Sequence, residues 1–224
     1  MSAPYESLST GLFITFEGID GSGKSTQIDH CNTALEAAGY QTVITRNPGG
    51  TELGLGIRQM LLHHPGYVSP TCELLLYVAD RAQHMDEVVF PALSEGKIVL
   101  CDRHIDSTVA YQGYGRELDK AIIEQLNTIA TQSRQPDITF LFDADPAILL
   151  ERVNKRGAAD RLEREKLTFY EKTVTGYRTL AEQCPKRIKV LDALQSIDSL
   201  HNQVIQHLSD TLNLQHLTPA NLTT

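Results

Sequence analysis

The feature that most narrows what this chain can fold into is a run near its start, Gly18-Ile19-Asp20-Gly21-Ser22-Gly23-Lys24-Ser25. It matches the pattern G-x-x-x-x-G-K-[ST]. It follows an apolar run, Leu12–Phe16, that reads as a strand, and it opens a stretch, Ser25–Ala38, that reads as a helix. That context separates a phosphate-binding loop from a chance glycine-rich turn. The glycines let backbone N–H groups turn inward around phosphate oxygens without Cβ clashes. The helix N-terminus adds partial positive charge. In such a loop Lys24 reaches the β- and γ-phosphates of a nucleoside triphosphate, and the Ser25 hydroxyl takes Mg²⁺.

The rest of the chain repeats the same alternation. Thr42–Thr45, Ile98–Cys101, Ile138–Phe142 and Ile188–Leu191 read as further strands, each short and apolar enough to be buried on both faces. Between and after them, 73–89, 120–133, 146–156, 161–182 and 197–212 read as helices, with Asp145 as an N-cap ahead of Pro146. This implies an α/β fold with a parallel sheet covered by helices on both faces. No repeat or linker divides the chain, so residues 1–224 read as one domain with a core over about 11–212 and a flexible tail over 213–224.

Composition bounds the function. A formal net charge of −8 argues against a nucleic-acid binder. No apolar run approaches the ~20 residues of a membrane span, and the first ten residues carry no secretory signal. The cysteines, Cys31, Cys72, Cys101 and Cys184, form no C-x-x-C pair, which fits a reducing, cytoplasmic compartment.

A second element supports the phosphate loop. Lys97-Ile98-Val99-Leu100-Cys101-Asp102 is an apolar strand ending in a carboxylate, the layout in which an aspartate holds Mg²⁺ beside such a loop. Two classes then stay open: a kinase for a small acceptor, and a nucleotide-hydrolysing switch. A kinase needs mobile cations that close over both substrates. The basic stretch over 152–164, with Arg152, Arg156 and Arg161, is the candidate lid; its alternative is a solvated helix face, since Glu151, Glu163 and Glu165 are interspersed.

Several spaced motifs resemble a known family. Phe16 to Thr26 resembles the phosphate loop of bacterial thymidylate kinases, Arg46-Asn47-Pro48-Gly49-Gly50-Thr51 resembles their R-E-P-G-G-T motif, and Asp102-Arg103-His104 with Ser107, Thr108 and Tyr111-Gln112-Gly113 resembles their D-R-[YH]-x-x-S-x-x-A-Y-Q-G segment. The resemblance runs from about Leu12 to about Leu212. It implies a P-loop kinase fold, with a five-stranded parallel sheet and a short lid. It also implies a homodimeric, Mg²⁺-dependent enzyme making dTDP from dTMP and ATP. A kinase for another nucleoside monophosphate is the alternative.

On that resemblance, Gly18, Ile19, Asp20, Gly21, Ser22, Gly23, Lys24, Ser25 and Thr26 bind ATP, and Ser25 and Asp102 hold the metal. Arg46 and Arg103 hold the acceptor phosphate, with Lys24, Arg103, Arg156 and Arg161 catalytic. Asp20 meets the sugar 3′-hydroxyl, Tyr111 crowds the ribose 2′ position, and Ser107, Thr108 and Gln112 complete the acceptor site. Asp192-Ala193 begins a loop under adenine. Tyr77 and Arg81, four apart and so on one helix face, correspond to an aromatic and an arginine that the family sets against the base. The apolar run around Leu74-Leu75-Leu76 on that helix is a candidate dimer face. Two positions depart from the family: Asn47 stands where Glu is usual, and Tyr114 where Gly is often found.

Overall fold

The computed structural model describes residues 11–155 and 161–212. Its strands are β1 (Leu12–Glu17), β2 (Thr42–Arg46), β3 (Ile98–Asp102), β4 (Ile138–Asp143) and β5 (Ile188–Asp192). They form one parallel five-stranded sheet in the order β2-β3-β1-β4-β5. Each expected strand is present and runs one residue further at its carboxyl end. Alternation along β1 and β3 sorts side chains to two cores. Ile14, Phe16, Ile98 and Leu100 pack into one cluster with Phe140 and Phe142, while Phe13, Val99 and Cys101 meet Met85 and Val89 on the other face. Burial on both faces does not hold for the outer strands. β2 and β5 sit at the sheet edges, where Ile44 and Val190 are each about half exposed.

The helices are α1 (Lys24–Ala37), α2 (Glu52–His63), α3 (Pro70–His84), α4 (Phe90–Ser94), α5 (Ile105–Thr108), α6 (Lys120–Thr131), α7 (Pro146–Asn154), α8 (Leu167–Gln183) and α9 (Ile197–Leu212). The stretch expected as one helix over 73–89 begins earlier, because Ser69 caps it and Pro70 fills its first turn. It then passes through a π-helical turn, Met85–Val89, into α4. A second π-helical turn, Val109–Gly115, follows α5. Asp145 caps α7 as expected, accepting from the Ala147 amide at 2.8 Å. The expected helix over 161–182 starts only at Leu167, because residues 161–166 form a strap. Its backbone is held from outside: the Arg161 amide donates to the Leu62 carbonyl at 3.1 Å and the Tyr170 hydroxyl to the Leu162 carbonyl at 2.9 Å. Of the expected lid, Arg152 lies within α7 and the strap is docked, whereas Arg156 falls outside the described residues, as does the expected tail.

Candidate active site

The site lies outside the carboxyl ends of β1 and β3, neighbours in register with Phe16 opposite Asp102. From β1 the chain enters α1 through Gly18–Gly23. Gly23, the residue before α1, has a left-handed backbone, and a Cβ on Gly21 would stand 2.6 Å from the Leu149 carbonyl. Both positions favour glycine. Lys24 is buried, its Nζ donating to the carbonyls of Gly18 and Ile19 at 3.0 Å each. Burial, reinforced by the Arg103 charge, lowers its pKa to about 8, against the pull of Asp102 and Asp20. Asp20, Gly21, Gly23, Lys24, Ser25, Thr26 and Asp102 line one cleft.

The fit of a magnesium ion rests on Asp102. Its Oδ1 is buried without a hydrogen-bond partner among the described residues, and Asp102 lines the same cleft as Ser25. One carboxylate and one hydroxyl suit Mg²⁺, which takes its remaining oxygens from phosphate and water. Arg152, from α7, donates to the carbonyls of Gly21 (3.4 Å) and Ala193 (3.2 Å), tying the phosphate loop to the turn after β5.

A second cavity adjoins this cleft. Asp20, Tyr77, Arg81, Arg103, Ser107, Thr108, Tyr111 and Gln112 all line it, joined by Asn47, Pro48, Arg58, Leu62 and Leu162. Asp20 borders both spaces. The expected acceptor residues therefore converge, with one exception. Arg46 is exposed at the end of the edge strand β2 and is not among the lining residues. Arg58, on α2, stands in the wall instead, its Nη1 donating to the Pro48 carbonyl at 2.9 Å.

Arg103 lines the cavity and reaches the phosphate cleft only through Asp20. Its backbone has φ 67°, a left-handed conformation uncommon for a side-chain-bearing residue. Its amide donates to the Phe16 carbonyl at 3.0 Å, fixing it to the end of β1. The guanidinium donates to Asp20 Oδ1 at 2.8 Å and lies over the Tyr111 ring, 5.1 Å from its centre. Burial pushes the Asp20 carboxyl up, but the charges of Arg103 and Lys24 and the bond from Arg103 outweigh it and bring the pKa down to about 2. Below lies Glu17, fully buried. It accepts from the His104 amide (2.7 Å) and the Ser107 (2.6 Å) and Tyr177 (2.9 Å) hydroxyls. Burial and the Asp106 charge push its carboxyl upward. Ser107 thus spends its hydroxyl on Glu17 while still facing the cavity.

Arg81 is almost fully buried on α3 and is held by Asn127 Oδ1 (2.6 Å), Asn47 Oδ1 (2.7 Å) and the His104 carbonyl (3.0 Å). Burial lowers its pKa to about 10, against the charges of Glu17 and Asp80, so it stays protonated near neutral pH. Asn47 also donates to Asp80, which accepts from the Gly49 amide at 2.9 Å. The Asn at this departure from the family pattern is therefore built into the arginine's support. Thr108 Oγ1 and the Tyr111 hydroxyl are buried without hydrogen-bond partners among the described residues. Tyr114, the other departure, lies away from the cavity: its ring covers Gly176 of α8 and sits under Lys120 Nζ at 4.7 Å. Arg161 is not among the residues lining the phosphate cleft; it pairs with Glu73 at 2.6 Å.

A phosphate loop on a parallel sheet, with a cation-lined cavity sharing its wall, defines a P-loop phosphotransferase. The comparisons narrow this. The family model for thymidylate kinase matches residues 16–204. A thymidylate kinase of an Exiguobacterium species is 46% identical over 206 residues, covering 91% of this chain and 96% of that protein. One from Solidesulfovibrio magneticus is 48% identical over 201 residues, covering 86% and 96%. The crystal structure of thymidylate kinase from Ehrlichia chaffeensis superposes with a TM-score of 0.73 at 37% identity, over 89% of this chain and 99% of that one. The chain belongs to the thymidylate kinase family.

Proposed function

We propose that this enzyme transfers the γ-phosphoryl group of ATP to dTMP, giving dTDP and ADP in the supply of dTTP for DNA synthesis. The observation that carries this reading is one cavity, lined by Tyr77, Arg81, Arg103, Thr108 and Tyr111, that shares Asp20 with the phosphate cleft. An acceptor bound there has its reactive end beside the donor. The nucleophile is the acceptor's own phosphate, whose second pKa of about 6 leaves it largely dianionic at neutral pH without a general base. The barrier is the approach of two polyanions, so catalysis rests on positioning and charge stabilisation.

Residues 18–26 cradle the donor, with Lys24 on its terminal phosphates. Ser25 and Asp102 would hold Mg²⁺, which would offset the negative charge of the donor phosphates. Arg103, with Arg58, grips the acceptor phosphate. Arginine suits this because its planar fork binds phosphate oxygens in pairs. Asp20 takes the sugar 3′-hydroxyl, Tyr111 closes the 2′ side, Tyr77 stacks on the base and Arg81 meets a base carbonyl. Ser107 and Gln112 stand behind these groups. Arg156 is proposed to meet the transferring group. One domain carries both sites.

Two further readings go with it. A homodimer is supported by apolar side chains at the surface of α2 and α3, where Leu53, Leu55, Met60 and Leu75 are more than half exposed. A cytoplasmic setting agrees with four free cysteines. The test of the acceptor is a panel with Mg·ATP: dTMP, dUMP, UMP, CMP, AMP and thymidine. dTMP should lead. dUMP should follow by 10- to 200-fold, since one methyl group is worth about 1–3 kcal/mol. Preference for AMP or CMP, or hydrolysis without an acceptor, overturns the reading.

A further inference from the structure

Glu73 lies in the first turn of α3 with no solvent exposure, yet it takes no part in either substrate space as a lining group. Four donors from two chain segments, the Val109–Gly115 turn with its cap Arg116 and the strap, converge on its carboxylate. Gln112 Nε2 donates to Oε1 at 2.8 Å and Arg116 Nε to the same oxygen at 3.1 Å. Arg116 Nη2 reaches Oε2 at 3.1 Å and Arg161 Nη2 reaches it at 2.6 Å. The second cation is balanced elsewhere, because Arg116 also pairs with Glu165 at 2.7 Å. Burial pushes the Glu73 carboxyl up, but the bonds from Arg116 and Gln112 outweigh it and hold the group ionised.

Gln112 is a wall residue of the acceptor cavity. Arg161 opens the strap, and the next residue, Leu162, lines the same cavity and packs in one cluster with Leu62. Arg161 is further fixed by its Nε on the Leu61 carbonyl at 2.7 Å. One buried carboxylate thus joins two segments that line the acceptor cavity. We propose that Glu73 is a positioning residue for the acceptor: through Arg161 it holds Leu162, and through it the strap, in the cavity lining, and through Gln112 it sets the lining contributed by the Val109–Gly115 turn. It touches no substrate and acts through these two residues. The inference rests on the cavity being the dTMP site.

The chemistry predicts which replacement is informative. Glutamine at position 73 keeps the shape but offers one oxygen where two now accept four bonds, and turns an amide N–H₂ toward other donors. Arg116 keeps Glu165; Arg161, already at the solvent edge, loses its carboxylate. E73Q should therefore raise KM for dTMP at least fivefold, with KM for ATP and kcat each within twofold. Glu73→Asp, which keeps the charge, should fall between. Hydrogen exchange supplies a readout that needs no turnover: the Arg161 amide, bonded to the Leu62 carbonyl, should exchange at least tenfold faster in E73Q. Should E73Q fail to fold, Arg161→Lys, which leaves Glu73 satisfied by Arg116 and Gln112, should give the same dTMP-selective rise. A fall in kcat at unchanged KM for Arg161→Lys assigns that arginine to the transferring phosphoryl group and overturns the proposal. So does an unchanged dTMP KM and Arg161 exchange in folded E73Q, or an equal rise for both substrates. Wild-type protein that does not use dTMP in the same assay overturns the acceptor reading instead, and leaves the exchange measurement to decide the role of Glu73.

Discussion

His84 closes the last turn of α3 with its ring fully buried, sharing a 2.7 Å hydrogen bond with Thr45. Burial, with the Arg81 charge beside it, lowers its pKa from an ordinary 6.5 to about 4. The folded protein therefore keeps this ring neutral where an unfolded chain protonates it. Between pH 6.5 and 4 the unfolded state binds more protons, so stability falls as pH drops through that window. A full shift of this size is worth at most about 3 kcal/mol. Urea unfolding at pH 7 and pH 4.5 should show wild type losing about 1–3 kcal/mol more than His84→Gln, whose amide can still bond Thr45. Equal losses would remove His84 as the source. At this scale the sequence is uneven. Tyr77 and Arg81 were legible through the family resemblance, the four-residue spacing adding only that they share a helix face. Arg58 was not, because the helix that carries it went unread: Gly54 and Gly56 make that stretch resemble a loop. The available signal was Thr51, which caps α2 by accepting from the Gly54 amide at 2.9 Å, followed by Ile57 and Leu61 at helical spacing.

At the scale of elements, the strands were the most legible part, since short β-branched runs between polar segments leave few alternatives. Four end a residue later than their apolar runs, because Glu17, Arg46, Asp143 and Asp192 look like loop residues while their backbones still belong to the sheet; Asp102 is legible as the carboxylate that ends its strand. The π-helical turns gave no sequence signal, as a single widened turn alters no periodicity that can be counted. One of them depends on Tyr114. A Cβ on Gly176 would stand 2.7 Å from that ring, so α8 and the Val109–Gly115 turn are matched in shape there. Gly→Ala inside an exposed helix normally stabilises by about 1 kcal/mol. Here the crowding reverses the sign, and Gly176→Ala should destabilise by about 1–3 kcal/mol. Tyr114→Gly should also destabilise, by leaving the groove empty. The double variant should lose less than the two single losses summed, since the smaller residue makes room for the added methyl. Strict additivity in denaturant unfolding would show that the two residues do not set each other's geometry.

At the scale of the molecule, the proposed dimer gives a direct measurement. Light scattering should return twice the 24.9 kDa chain mass, and Leu75→Glu, at a residue half exposed on α3, should return the single mass with the fold intact. A wild-type monomer with full activity rejects the dimer. The strand order has a different consequence, one that concerns descent. The phosphate loop and Asp102 hang from two adjacent central strands, β1 and β3, whereas Tyr77, Gln112 and Leu162 come from α3, a π-helical turn and the strap, none of them part of the sheet. A lineage built on this plan can exchange the molecule it phosphorylates by remodelling peripheral pieces while inheriting its fuel-handling apparatus unchanged. The opposite exchange would require the middle of the sheet to be rebuilt.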